Sequence, residues 1–186
     1  MNVYIREISK RLVGKGFQVD IFTRREEQEL PSIMDLGDGL RLFNIDAGPT
    51  TTVNKNDLSL WISNFTVNVK KAIENFDYDY ELIFSHYWLS MLAGETLAHD
   101  WNVPHIGMFH TLAEVKIEAL ASENETQERL EAERRLIGKL DGIIAATSDE
   151  KEIMKIIYGV PANNINVVPL GVGPDFFEER SQKQAR

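Results

Sequence analysis

The chain has 186 residues, a formal net charge of -9, 43% hydrophobic and 26% charged residues and no cysteine, which describes one folded domain and excludes disulfides and thiolate catalysis. Its acidic balance excludes a nucleic-acid partner, because phosphate binding needs concentrated Lys and Arg. No apolar stretch approaches the ~18 residues of a membrane span, no charged leader precedes an apolar region, and the lack of cysteine favours the cytoplasm.

Predicted strands alternate with predicted helices along the chain. Short apolar runs typical of buried strands occur at residues 19–23, 40–45, 82–85, 106–109, 142–146 and 165–168. Apolar residues recur at helical spacing in the segments 3–12, 58–76, 88–101, 127–140 and 151–158. The segments at 24–38 and 118–126 are polar and are predicted to be loops. This order predicts an α/β fold with a Rossmann-like, doubly wound parallel sheet.

The first predicted element is a helix, although a doubly wound sheet normally starts with a central strand and a glycine-rich loop. We therefore expect a fragment that lacks its first strand. Residues 1–168 are expected to form the domain, and residues 169–186, which begin Pro-Leu-Gly-Val-Gly-Pro, a linker toward a further domain. The sheet edges that a missing strand leaves open favour self-association, for example as a homodimer.

Two polar clusters follow predicted strands. His110 and Thr111 come directly after the run at 106–109, and His86 and Tyr87 come directly after the run at 82–85. Ligands of open α/β sheets bind beyond the carboxyl ends of the strands. The sequence therefore predicts one site that is assembled from several loops.

Seven short motifs, in a fixed order, carry a family resemblance. They lie at residues 1–7, 19–24, 44–49, 85–90, 110–116, 128–133 and 167–172. With these motifs the chain resembles the group-one, family-four-like retaining glycosyltransferases of the GT-B fold, in the branch that includes D-inositol-3-phosphate glycosyltransferases and sucrose-phosphate synthases. The resemblance implies the acceptor-binding N-terminal half of such an enzyme. A C-terminal domain would hold the nucleotide-sugar, so the isolated half is expected to be inactive.

The resemblance also implies a reaction and roles for single residues. A sugar would pass, with retention, from a UDP- or GDP-sugar to a phosphorylated acceptor such as inositol phosphate or a hexose phosphate, without a metal or further cofactor. His110 would be the catalytic residue beside the transferring sugar, and Asn2 would face the cleft. A phosphate dianion is bound well by cations and hydroxyl donors. The residues implied to hold the acceptor's phosphate are Lys55, Tyr87, Thr111 and Arg129.

Each of these residues also has a structural interpretation. His110 and His86 can be satisfied residues at strand ends, and Lys55 can be solvated. Arg129 lies among glutamates between positions 125 and 133, so helical ion pairing is its alternative. No histidine spacing is typical of a zinc site. For the chain as a whole, the alternative is a non-catalytic carbohydrate- or phosphate-binding module.

Overall fold

The computed structural model describes residues 2–76, 79–119 and 125–171. The predicted linker lies outside the described residues from residue 172 onward. Part of the polar stretch at 118–126 also lies outside them. Within the described ranges, the predicted strands and helices occur in the predicted order, together with elements that were not predicted. None of the helices in these ranges is both long and apolar enough to cross a bilayer.

The first sheet has three strands: β1 (Val19–Arg24), β2 (Ile33–Asp35) and β3 (Leu40–Ile45). Their order is β1-β3-β2, with β1 parallel and β2 antiparallel to β3. β2 lies in the segment that was predicted to be a loop. Because it has only three residues, of which the two at its ends are exposed, its sequence lacks the apolar periodicity that predicts a strand.

The second sheet has four parallel strands in chain order: β4 (Ile83–His86), β5 (His105–Met108), β6 (Gly142–Ala145) and β7 (Ile165–Val167). All four were predicted to within one residue at each end. Among the described residues, no strand pairs with both β1 and β4, so the two sheets are separate. A doubly wound sheet that lacks its first, central strand divides in this way, so the separation agrees with the predicted fold class.

The described part of the chain contains six α-helices: α1 (Asn2–Val13), α2 (Ile62–Ile73), α3 (Trp88–Trp101), α4 (Ala113–Ala119), α5 (Gln127–Ile137) and α6 (Ser148–Tyr158). The helix predicted at 58–76 is instead a 3-10 helix, Lys55–Trp61, followed by α2. Asn54 starts the 3-10 helix, since its side chain accepts a hydrogen bond from the backbone N–H of Asn56 at 3.0 Å. α4 was not predicted, because seven residues are too few for a clear helical period.

Side chains from both sheets and from the helices between them hold the fold together. Phe43 of β3, Val69 of α2 and Leu97 of α3 are buried in one apolar cluster. The hydroxyl of Tyr80, just before β4, donates to Asp20 of β1 at 2.7 Å. This bond brings the N-terminal ends of β1 and β4 together, although no described strand lies between them.

α3 packs closely on β4 and β5 at Gly94. A Cβ atom there would lie 2.3 Å from Oγ of Ser85 and 2.5 Å from Nε2 of His105. These two atoms are joined by a buried hydrogen bond of 2.8 Å. The glycine therefore permits the close approach of α3 that fixes β4 and β5, the strands that precede the two polar clusters.

Candidate functional site

Two histidines face each other beyond the carboxyl ends of β4 and β5. His86 is the last residue of β4 and pairs with Met108, the last residue of β5. His110 follows two residues later and has a left-handed backbone, with φ of 61°, which is uncommon for a residue other than glycine. Nε2 of His110 lies 3.1 Å from Nδ1 of His86. The turn after β5 thus forms a hydrogen-bonded histidine pair.

Burial keeps both rings of the histidine pair uncharged at neutral pH. Desolvation and the neighbouring His110 lower the pKa of His86 to about 4. Desolvation also lowers the pKa of His110, because removal from water disfavours the charged imidazolium. Each ring therefore carries one N–H, and one proton lies between them. The remaining nitrogen of His110 can either donate or accept a hydrogen bond.

The first turn of α1 adjoins the histidine pair. The ring of Tyr4 is edge-on to both imidazoles, with centroid distances of 5.7 Å to His86 and 5.4 Å to His110. Asn2, predicted to face the cleft, is exposed in the same turn. The structure therefore shows Tyr4 in contact with the pair, whereas Asn2, two residues earlier, does not share the helix face of Tyr4.

Arg129 of α5 lies against two of the other predicted phosphate ligands. Its side chain is only 3% exposed. Nη2 donates to the carbonyl oxygen of Thr111 at 2.8 Å and lies 3.3 Å from the Thr111 hydroxyl. The guanidinium carbon is 4.9 Å from the ring centroid of Tyr87, within cation-π range. The structure thus brings Tyr87, Thr111 and Arg129 together.

Arg129 also makes helical ion pairs, as its structural interpretation predicted. Its Nε donates to Glu133 at 2.7 Å, and its Nη1 lies 2.9 Å from a carboxylate oxygen of Glu125. Glu133 is fully buried and also accepts the backbone N–H of Ala113, at the start of α4, at 2.8 Å. Burial raises the pKa of Glu133, while its bonds to Ala113 and Arg129 oppose that rise. This carboxylate therefore fixes α5 to the segment that follows His110.

Glu125 lies between two cations. Its carboxylate accepts from Nζ of Lys116 at 2.7 Å as well as from Arg129, and its side chain is 7% exposed. Burial opposes ionisation, but the hydrogen bonds from Lys116 and Arg129 outweigh it and lower the pKa of Glu125. The protein therefore already holds one anion between Lys116 and Arg129.

Lys55 is a predicted ligand that has no contact with the Arg129 cluster in the described part of the chain. It is exposed at the start of the 3-10 helix, and it makes no hydrogen bond or ion pair within the described part of the chain. The same 3-10 helix is attached to α5, because the hydroxyl of Ser59 donates to Glu128 at 2.9 Å. The structure thus brings the segment of Lys55, but not its ammonium group, to Arg129.

Three features of the site were missed by the sequence analysis: the ring contacts of Tyr4, the bridging position of Glu125 and the bond between the two histidines. Only Glu125 had a local signal, since it precedes Arg129 by four residues, the spacing of neighbours on one helix face. The other two depend on how separate elements pack, which local spacing does not encode.

The site is suited to bind a polar anion and to orient a hydroxyl group. Arg129, Thr111 and Tyr87 offer N–H, O–H and aromatic surfaces at one edge, and His110 offers a neutral imidazole. Across residues 2–76, 79–119 and 125–171, no group of three or more His, Asp or Glu side chains is placed to hold a metal ion.

The chain is similar in sequence to curated glycosyltransferases over its full length. It is 36% identical over 188 residues to the D-inositol 3-phosphate glycosyltransferase of Nocardiopsis dassonvillei, covering 100% of this chain and 44% of that protein. It is 37% identical over 180 residues to the enzyme of the same name from Xylanimonas cellulosilytica, covering 95% of this chain and 43% of that protein. The chain thus spans less than half the length of these relatives.

Its fold matches solved structures of glycosyltransferase type. The sucrose-phosphate synthase of Thermosynechococcus elongatus superposes with a TM-score of 0.87 and 24% identity, over 99% of this chain and 46% of that one. Anabaena HepE, solved with UDP and glucose, gives a TM-score of 0.52 and 13% identity over 77% of this chain and 34% of that one. These likenesses confirm the predicted α/β fold class. The model of the family described as Glycosyltransferase Family 4 matches residues 1–176, and the chain therefore belongs to Glycosyltransferase Family 4.

Proposed function

We propose that this chain is the acceptor-binding domain of a retaining glycosyltransferase that uses a UDP- or GDP-sugar and a phosphorylated acceptor, inositol phosphate or a hexose phosphate. One observation carries the proposal: Tyr87, Thr111 and Arg129 converge next to His110, beyond the carboxyl ends of β4 and β5. The relatives named D-inositol 3-phosphate glycosyltransferase support the same acceptor class. Residues 1–168 would form this domain, and 169–186 would lead to the domain that holds the nucleotide-sugar.

The phosphate pocket is supported by the chemistry of its members. Thr111 and Tyr87 carry hydroxyl groups, and charge-assisted bonds from Arg129 are roughly twice as strong as neutral ones. Because Glu125 and Glu133 already face Arg129, a phosphate dianion needs further positive charge. Lys55 can supply it, since its exposed side chain is free of partners in the described part of the chain.

His110 has the protonation state that the proposed reaction requires. As a neutral imidazole it can donate a hydrogen bond to a hydroxyl of the transferring sugar and orient the reacting carbon. In a retaining front-face reaction the acceptor hydroxyl attacks on the side from which the nucleoside diphosphate departs, and that diphosphate takes up the acceptor's proton. Positioning and stabilisation of the oxocarbenium-like charge then supply the rate. Asn2, in the same helical turn as Tyr4, would bind acceptor hydroxyls.

The pocket is tested by calorimetric titration of the full-length protein with inositol phosphate and hexose phosphates. Lys55→Ala should weaken binding of the preferred ligand by roughly tenfold or more, because a charged hydrogen bond contributes about 1.5 to 3 kcal/mol. Lys15→Ala is the matched control, since this exposed lysine follows the opposite end of α1. An unchanged Kd for Lys55→Ala would contradict the pocket.

Arg129→Ala is the less specific variant for this test. It also removes the partner of the fully buried Glu133, and an uncompensated buried charge costs about 3 to 5 kcal/mol of stability. Weaker binding by Arg129→Ala therefore counts for the pocket only if thermal unfolding shows that the variant is folded. Binding of a phosphorylated sugar without any transfer would favour the alternative function, a non-catalytic binding module.

A further inference from the structure

The hydrogen bond between His86 and His110 has no part in the proposed function as stated so far. His86 is 8% exposed, whereas His110 is half-buried, so His110 is the more accessible of the two rings. We propose that His86 is a positioning residue: its Nδ1–H donates to Nε2 of His110 and so keeps the His110 proton on Nδ1. This inference rests on the proposed role of His110 at the transferring sugar.

The surroundings of His86 hold its ring in one place. The ring of Phe84 lies against it, with a centroid distance of 4.2 Å, and Tyr4 approaches it edge-on. The following residue, Tyr87, donates its backbone N–H to Met108 of β5 at 2.9 Å. A ring fixed on a strand in this way can fix the orientation of a partner ring that lies on a loop.

The proton between the two rings can belong to either of them. If Nδ1 of His86 carries it, Nε2 of His110 is the acceptor and Nδ1 of His110 keeps its own proton. If Nε2 of His110 carries it, Nδ1 of His110 is bare and can only accept. Because a neutral imidazole has one N–H, no third arrangement preserves the hydrogen bond of 3.1 Å.

Only the first arrangement leaves the N–H of His110 available to donate to the substrate. The proposed role of His110 is to donate to a sugar hydroxyl, and its Nε2 is already engaged with His86. Nδ1 is then the nitrogen left for the sugar, and it must carry the proton. The choice of tautomer at His110 is therefore made by His86, in the way that the partner of one ring nitrogen sets the state of the other.

The tautomers are measured directly by nitrogen-15 NMR of the full-length protein with labelled histidine, at neutral pH. We expect protonated Nδ1 and bare Nε2 for His110, and protonated Nδ1 for His86. Signals are assigned by their disappearance in His86→Asn and His110→Ala. Protonated Nε2 on His110, or a charged ring in either histidine, would overturn the proposal.

Kinetics provide a second readout that a merely structural role would not give. The side-chain amide of Asn reaches the position of Nδ1, whereas that of Gln reaches the position of Nε2. His86→Gln and His86→Phe should lower kcat by about 10- to 100-fold through misorientation of His110, with the acceptor KM within about twofold. His86→Asn should recover most of kcat. Equal losses in Asn, Gln and Phe variants would refute the positioning role.

His105→Asn is the control for loss of a buried histidine. His105 is the first residue of β5, at the end away from the pair, and its ring is hydrogen-bonded to Ser85 of β4. Loss of the His105 ring should therefore lower the melting temperature but leave the His110 tautomer unchanged. The two proposals also fail separately. If no donor and acceptor support turnover, the proposed function fails, while the NMR result still decides between the two proton positions.

Discussion

At the scale of single residues, Arg129 already has its charge balanced before any ligand binds. Glu133 fixes it from within the core, and Glu125 bridges it to Lys116. The two carboxylates differ in their connections, since Glu133 also holds Ala113 at the start of α4, whereas Glu125 lies in the segment before α5. Under the proposed function, an acceptor phosphate would compete with Glu125 for the same donors.

Removing this competing charge should therefore tighten acceptor binding. We expect Glu125→Gln to lower the Kd for the phosphorylated acceptor by about three- to tenfold, which corresponds to roughly 1 kcal/mol. Calorimetric titration measures the change. The matched control is Glu131→Gln, an exposed glutamate of α5, which should leave the Kd unchanged. Weaker binding by Glu125→Gln would mean that Glu125 supports the pocket rather than occupies it.

Burial of His86 also predicts how stability depends on pH. In the unfolded chain this histidine takes up a proton near pH 6.5, but in the folded chain its pKa is about 4. Between these values the unfolded state binds more protons, so the free energy of unfolding falls as pH drops from 6.5 to 4, by up to about 3 kcal/mol. Above pH 6.5 His86 is neutral in both states and no longer lowers the free energy of unfolding.

The variant His86→Asn isolates that contribution, since it keeps a polar side chain without the titration. Urea unfolding of the full-length protein, followed by tryptophan fluorescence at several pH values, should show a shallower loss of stability in the variant below pH 6.5. If the free energy of unfolding falls equally with pH in the wild type and in His86→Asn, the pKa of His86 is not lowered.

At the scale of elements, segments rich in buried apolar residues were predicted well, and two short, more polar ones were not. α3 was predicted at its observed bounds, and the strands of the second sheet were correct to within one residue. β2 and α4 were missed, because three and seven residues give no clear period. The 3-10 helix at 55–61 was merged with α2, since both continue the same apolar pattern.

Packing between elements, which sequence periodicity does not describe, can be tested at Gly94. We expect Gly94→Ala to lower the free energy of unfolding by about 1 to 3 kcal/mol, because its Cβ would lie 2.3 Å from Ser85 Oγ. Gly138→Ala is the control, since a Cβ there meets nothing within 4 Å and should change stability by less than about 0.5 kcal/mol. Thermal unfolding compares the two. Equal melting temperatures would contradict the close contact between α3 and the second sheet.

At the scale of the whole molecule, the predicted phosphate ligands came from a family resemblance and the contacts among them came from the fold. The motifs at 85–90, 110–116 and 128–133 named Tyr87, Thr111 and Arg129, and the structure brings them together. The glutamates four residues before and after Arg129 lie in the same segment, and their spacing predicted the ion pairs that the structure shows. The contact of Arg129 with Thr111 was not predictable in this way, because it depends on α5 packing against the segment after β5.

The length of the chain sets which experiment is decisive. It spans less than half of the relatives it matches, so transfer must be measured on the full-length protein. The most direct test of the proposed function is turnover with a panel of UDP- and GDP-sugars, with inositol phosphate and hexose phosphates as acceptors, in the wild type and in His110→Ala. We expect transfer with one pair and a loss of at least about 100-fold in kcat in the variant. Full activity of His110→Ala, or no transfer with any pair while phosphorylated sugars still bind, would contradict the assignment of this site to catalysis.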